Sequence, residues 1–226
     1  MALDFVEVCS LRCMMKTGVP VMSMRLPFYL MLVLSLLVAV ASWRFLGLGL
    51  DLSFPGFEDH LAARRMVFTL HVALAPVALA LGGFQFLSGV RTRRPVLHRW
   101  TGRLYAICVA ISGFAGLWLA LFAPGGWIAG LGFGLLAILW LVATAKAVLH
   151  ARRREFTQHR LWMVRSFALT FAGVTLRLFL AGYILSGVSY VDASPVLAWI
   201  CWVPNILIVE WWIARDKNRS VKTATG

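Results

Sequence analysis

The chain has 226 residues, of which 61% are apolar and only 14% charged, and its mean hydropathy is +0.82. A soluble domain averages about 45–50% apolar and about 25% charged residues, so this composition suits a surface that faces lipid. The net charge of +13 would suggest nucleic acid in a soluble protein. Here the basic residues stand in short blocks between apolar runs, no basic domain exists to carry such contacts, and nucleic acid is set aside as a partner in favour of the lipid bilayer.

Residues 1–26 carry neither the short apolar core nor the small-residue cleavage site of a signal peptide and read as a disordered cytoplasmic leader. The string Met24-Arg25-Leu26-Pro27 ahead of an apolar run looks like a natural start, as does Met22. Cys9 and Cys13 form a lone C-x3-C with no second pair to complete a zinc site. Cys108 and Cys201 lie inside apolar runs, where a thiol packs as a small hydrophobe.

Six stretches approach or exceed the ~20 apolar residues that a membrane helix needs: 27–46, 66–90, 100–123, 127–149, 161–186 and 195–213. They predict an all-α integral membrane protein, a single bundle of about six transmembrane helices over 27–213 with a basic tail at 214–226. Pro124-Gly125-Gly126 predicts a tight hairpin between the third and fourth spans, and Pro76 and Pro204 predict kinks in the second and sixth. Eighteen of the 22 Lys and Arg residues fall on the side of the termini and of the 91–103 and 146–165 loops. The other side has Arg44, Arg64 and Arg65 set against Asp51, Glu58, Asp59 and Asp192. By the positive-inside rule both termini are cytoplasmic, in the inner (plasma) membrane.

Ionisable groups at membrane depth are costly and face the protein interior by default. Helical steps of three and four pick out one stripe on each of three spans. They are His71, Ala75, Ala78, Gly82, Gln85 and Gly89; His98, Gly102, Tyr105, Val109, Ser112 and Gly116; and His159, Met163, Ser166, Thr170, Gly173 and Arg177. Small residues at such steps also let membrane helices pack closely, whatever else they do. His71 lies five residues inside Met66, about 8 Å below the outer surface, and Arg177 about 24 Å up from the cytoplasmic side of a ~30 Å core, so the two share a depth. Gln85, His98 and His159 gather at the cytoplasmic boundary. His60 and His150 read as loop residues, Lys146 as a side chain that reaches the headgroups, and Glu210 as the partner of a loop arginine. Arg177 has no carboxylate in the outer halves of the spans and calls for an anion, a cofactor carboxylate or helix-end carbonyls.

The strings Leu97-His98-Arg99-Trp100-Thr101-Gly102-Arg103-Leu104-Tyr105, His159-Arg160-Leu161-Trp162-Met163-Val164-Arg165-Ser166 and Thr175-Leu176-Arg177, with the His71 to Gln85 helix, resemble an uncharacterised bacterial membrane family, the domain of unknown function 2306 family. The resemblance covers roughly residues 60–213 and implies the architecture more than a chemistry. A looser similarity is to transmembrane b-type cytochromes, which often place two haem-ligating histidines about fourteen residues apart on one helix. Here the residue fourteen after His71 is Gln85, a poor iron ligand. One haem iron between His98 and His159 remains open, since imidazoles from two helices suit iron, with His71 and Arg177 then holding a quinone or a haem propionate. The leading expectation is therefore a membrane redox protein with haem b or quinone, contacted by His98, His159, His71, Arg177, Gln85 and Tyr105. The alternatives are a small-solute or anion transporter, completed by a homodimer, and a non-catalytic accessory membrane protein.

Overall fold

The computed structural model describes residues 25–50 and 58–225. The leader and the Cys9–Cys13 pair lie outside the described residues. Those described contain helices and no strand. The helices are α1 (Arg25–Gly47), α2 (Glu58–Phe84), α3 (Ser88–Arg93), α4 (Pro95–Ala120), α5 (Gly126–Arg152), α6 (Phe156–Thr170), α7 (Ala172–Leu185), α8 (Tyr190–Ile200) and α9 (Val203–Thr225). Six stretches are long and apolar enough to cross a membrane, as expected: α1, α2, α4, α5, α6 with α7, and α8 with α9. α9 continues beyond the sixth span, which ends at Asp216, to Thr225 in the basic tail.

The breaks have local causes. Pro204 cannot donate into the preceding turn, and the sixth span is interrupted at Cys201–Trp202 just ahead of it. The Cys201 carbonyl exposed there accepts from the Asn205 amide at 3.0 Å and from the Thr175 hydroxyl. The fifth span breaks at Phe171, between α6 and α7. In α2 the sequence points to Pro76, but the helix continues through it and the non-helical residue is Arg64 (φ −138°, ψ 24°). This moves the second span N-terminal to its expected place, to Leu61–Phe84. The hairpin between α4 and α5 turns on Gly126, whose φ of +73° suits a residue without Cβ. Arg154 takes a left-handed φ of 61° between α5 and α6, where His150 Nδ1 and Glu155 Oε2 close the turn at 2.5 Å.

The helices pack as a chain of neighbours: α1 on α2, α2 on α4, α4 on α5, and α5 on α6 and α8. The central cluster holds Ala78, Tyr105, Val109, Trp140, Ala143, Met163 and Leu169, drawn from α2, α4, α5 and α6. Outside it a broad apolar surface is exposed, including Leu37, Val40, Phe114, Trp127 and Leu185, the complement of a lipid environment. Serines and threonines inside the spans return their protons to the carbonyl one turn back, as Ser35 does to Met31 at 2.8 Å and Ser42 to Val38 at 2.6 Å.

Candidate functional site

The three stripes meet in one seam. Ala78, Tyr105, Val109, Ser112, Met163, Ser166 and Thr170 are all buried. Gly82 is what lets the helices close: a Cβ there would stand 2.6 Å from Phe167 Cδ2 and 3.0 Å from Tyr105 Cε2. Gly89, the last member of the first stripe, leaves the seam, since it belongs to α3 and a Cβ on it would meet nothing within 4 Å.

At mid-depth the seam closes on itself. The Trp140 indole N–H donates to Thr170 Oγ1 at 2.8 Å, and Tyr105 Oη lies 2.8 Å from Thr170 Oγ1 and 2.6 Å from Ser166 Oγ. Ser166 Oγ lies 2.7 Å from Thr144 Oγ1, which donates to the Trp140 carbonyl at 2.8 Å. The ends fix the direction, because an indole N–H only donates and a carbonyl only accepts. Thr170 Oγ1 also reaches the Ser166 carbonyl at 2.8 Å, so its one proton serves either that carbonyl or Tyr105, while Ser166 donates to Thr144 and Thr144 back to Trp140. Tyr105, expected to touch a cofactor, spends its hydroxyl within this loop.

At the arginine-rich end, Gln85 is buried against α4. Its amide fits best with the oxygen accepting from Thr101 Oγ1 (2.7 Å) and the Gly102 N–H (3.2 Å) and the nitrogen donating to His98 Nδ1 (2.9 Å) and the His98 carbonyl (3.2 Å). A neutral imidazole that accepts at Nδ1 carries its proton on Nε2. His159 is held the other way: its Nδ1 lies 2.8 Å from the Ala147 carbonyl, so Nδ1 carries the proton and Nε2 keeps a lone pair. His98 is within electrostatic reach of His159 and of Arg91. The two histidines on different helices thus present a donor and an acceptor.

At the opposite end, His71 Nδ1 lies 2.9 Å from the Ser112 carbonyl, which again leaves Nε2 bare. Ser112 Oγ is 3.2 Å from the same nitrogen and donates to the His71 carbonyl at 3.4 Å. Arg177 donates through Nη1 to the Gly173 carbonyl at 2.8 Å. His71 is within electrostatic reach of Arg177, and Arg177 of Arg44 on α1.

A family model described as a predicted membrane protein, DUF2306, matches residues 68–213. The chain belongs to this family. No curated protein and no solved structure matches it. The matched region runs from within α2 into α9 and so contains every residue of the seam, while α1 precedes it.

This DUF2306 chain also settles the outlying residues. Glu210 pairs with Arg165, not in a loop but on α6, through Nε at 2.5 Å and Nη2 at 2.9 Å. Lys146 is exposed, with its Nζ 4.4 Å from the centroid of the Trp162 ring. Neither outlying histidine is in a loop: His150 occupies the last turn of α5, and His60 the first turn of α2. Cys108 and Cys201 are separate buried thiols, and among the described residues no three His, Cys, Asp or Glu side chains gather as a metal site. Trp140 and Thr144 were missing from the three stripes. Their signal was a donor and a hydroxyl one turn apart in a span of otherwise apolar residues.

Proposed function

We propose that this multi-pass membrane protein is a redox protein that binds a quinone, or else a b-type haem, between His98 and His159. The reading is supported by the hydrogen-bond partners of the two imidazoles, which assign them opposed tautomers when the Gln85 amide oxygen is turned to the Gly102 N–H. A quinone carbonyl accepts from a ring N–H and a quinol hydroxyl donates to a ring lone pair, so His98 Nε2–H and His159 Nε2 offer what the two redox states of such a ligand need. Iron would need lone pairs on both, and that requires the Gln85 amide to turn over so that His98 carries its proton on Nδ1. An amide turned so that its oxygen accepts from the Gly102 N–H and its nitrogen donates to the His98 carbonyl favours quinone over iron. The arginine-rich end then lies in the cytoplasm with both termini, within reach of the anionic leaflet.

The deciding measurement is an absorption spectrum of the detergent-purified protein before and after dithionite, with bound quinone extracted and assayed in parallel. Extracted quinone whose occupancy falls in His159→Ala supports the reading, and a Soret band lost in the same variant supports its haem form. Folded protein with neither a chromophore nor extractable quinone, expressed where both are abundant, overturns it.

A further inference from the structure

The arginine-rich end of the bundle carries a cavity that the cofactor reading does not use. Pro95 opens α4 and disfavours helical backbone in the residue before it. Arg94 accordingly takes φ −133° and ψ 63°, which ends α3 after six residues. Beside α3 lies a cavity of about 470 Å³, within the ~300–1,000 Å³ of small-ligand clefts. Tyr29 of α1, Phe84 at the end of α2, Leu87, Gly89 and Arg93 of α3, and Arg94 just past it contribute to its lining. The first span begins at Phe28 and the second ends at Phe84, so the cavity stands where a phospholipid passes from chain to headgroup. A Cβ on Gly89 would meet nothing within 4 Å, so the space beside it is open.

The charge in this cavity is unanswered. Arg93 and Arg94 are exposed, and neither forms an ion pair among the described residues. Glu155 and Glu210, at the same end of the bundle, are held by His150 and Arg165. The leader supplies no net counter-charge, since Arg12 and Lys16 balance its Asp4 and Glu7. Two guanidinium groups beside an aromatic and aliphatic wall fit an anionic amphiphile, because each can grip phosphate oxygens through paired N–H groups. We propose that this cavity docks one anionic phospholipid, with its phosphate on Arg93 and Arg94 and the start of an acyl chain against Phe84 and Leu87. A zwitterionic phospholipid would bring its own cation to the same two arginines, so the site selects by headgroup charge. The positive-inside orientation proposed above opens the cavity to the anionic leaflet.

The test is a thermal-shift titration of the full chain in maltoside micelles with phosphatidylglycerol, phosphatidylcholine or inorganic phosphate. Phosphatidylglycerol should saturate at a concentration about tenfold below phosphatidylcholine, the order expected of two arginines against an anionic lipid. Arg93→Gln combined with Arg94→Gln should remove that preference. Arg153→Gln combined with Arg160→Gln takes the same charge from the neighbouring loop and should keep it. Gly89→Leu keeps every charge but fills the open space, and should weaken phosphatidylglycerol by a similar factor. It tests the cavity even where the Arg93 and Arg94 double variant does not fold. Equal saturation by both lipids overturns the proposal and leaves the cavity to the leader or to a second copy of the chain. An equal loss in both arginine pairs would mean diffuse attraction to charge and overturns it too. So do inorganic phosphate that matches phosphatidylglycerol and a Gly89→Leu chain with undiminished preference. The readout is lipid preference and no variant alters His98 or His159, so the outcome is separate from that of the cofactor reading.

Discussion

The middle of the seam and its two ends contain the same kinds of residue and solve opposite problems. In the middle, Trp140, Thr170, Tyr105, Ser166 and Thr144 meet one another's hydrogen bonds, with the Ser166 and Trp140 carbonyls as further acceptors. At the ends, His159 and His71 each give one nitrogen to a helix carbonyl and keep the other uncommitted, and Arg177 commits one N–H of five. Lipid offers no hydrogen bonds, so a polar group inside a bundle is either matched by its neighbours or kept for something that arrives.

The largest effect that would break this division is at Trp140. Trp140→Ala removes the first donor of the loop and most of a buried ring, and should cost about 3–5 kcal/mol by unfolding titration in mixed micelles. Stability close to that of the unmodified chain would mean that the loop does not hold α5 to α6. Tyr105→Phe keeps the ring and removes the hydroxyl, taking a partner from Ser166 and from Thr170, whose proton keeps the Ser166 carbonyl, at about 1–3 kcal/mol. Its content of extracted cofactor should be unchanged, and a loss of cofactor at full stability would return Tyr105 to the ligand site. At the open end, His159→Ala should weaken cofactor retention at least tenfold, about 1.4 kcal/mol or more, with little loss of stability. An equal loss of stability and cofactor would make His159 a member of the framework. Smallest of all, Glu210→Gln breaks an ion pair whose carboxylate side chain is 46% exposed. Screening by water limits it to about 0–1 kcal/mol in the same titration, and a larger cost would show that α9 is held to α6 mainly by this pair.

Much of this geometry can be read in the spacing of residues. His98, Gly102, Tyr105, Val109, Ser112 and Gly116 follow helical steps, and in the structure Tyr105, Val109 and Ser112 are buried while Gly102 and Gly116 stand against Gln85 and His71. Proline was the weaker guide. Pro204 marked a true break, because the carbonyl it exposes finds Asn205 and Thr175, whereas α2 absorbed Pro76 and broke at Arg64, where no proline stands.

The amino-acid sequence alone determined the six spans, the basic side and the three facing stripes. Those depend on periodicity, length and charge, which are properties of each helix by itself. The tertiary structure decided which hydroxyl partners which, and therefore that Tyr105 is closed and His159 open. It also placed the Gln85 amide against Gly102 and the His98 carbonyl, the contact on which the position of the His98 proton depends. A hydrogen bond between helices is fixed by distance and direction to within a few tenths of an ångström, and no pattern along a single helix carries that information.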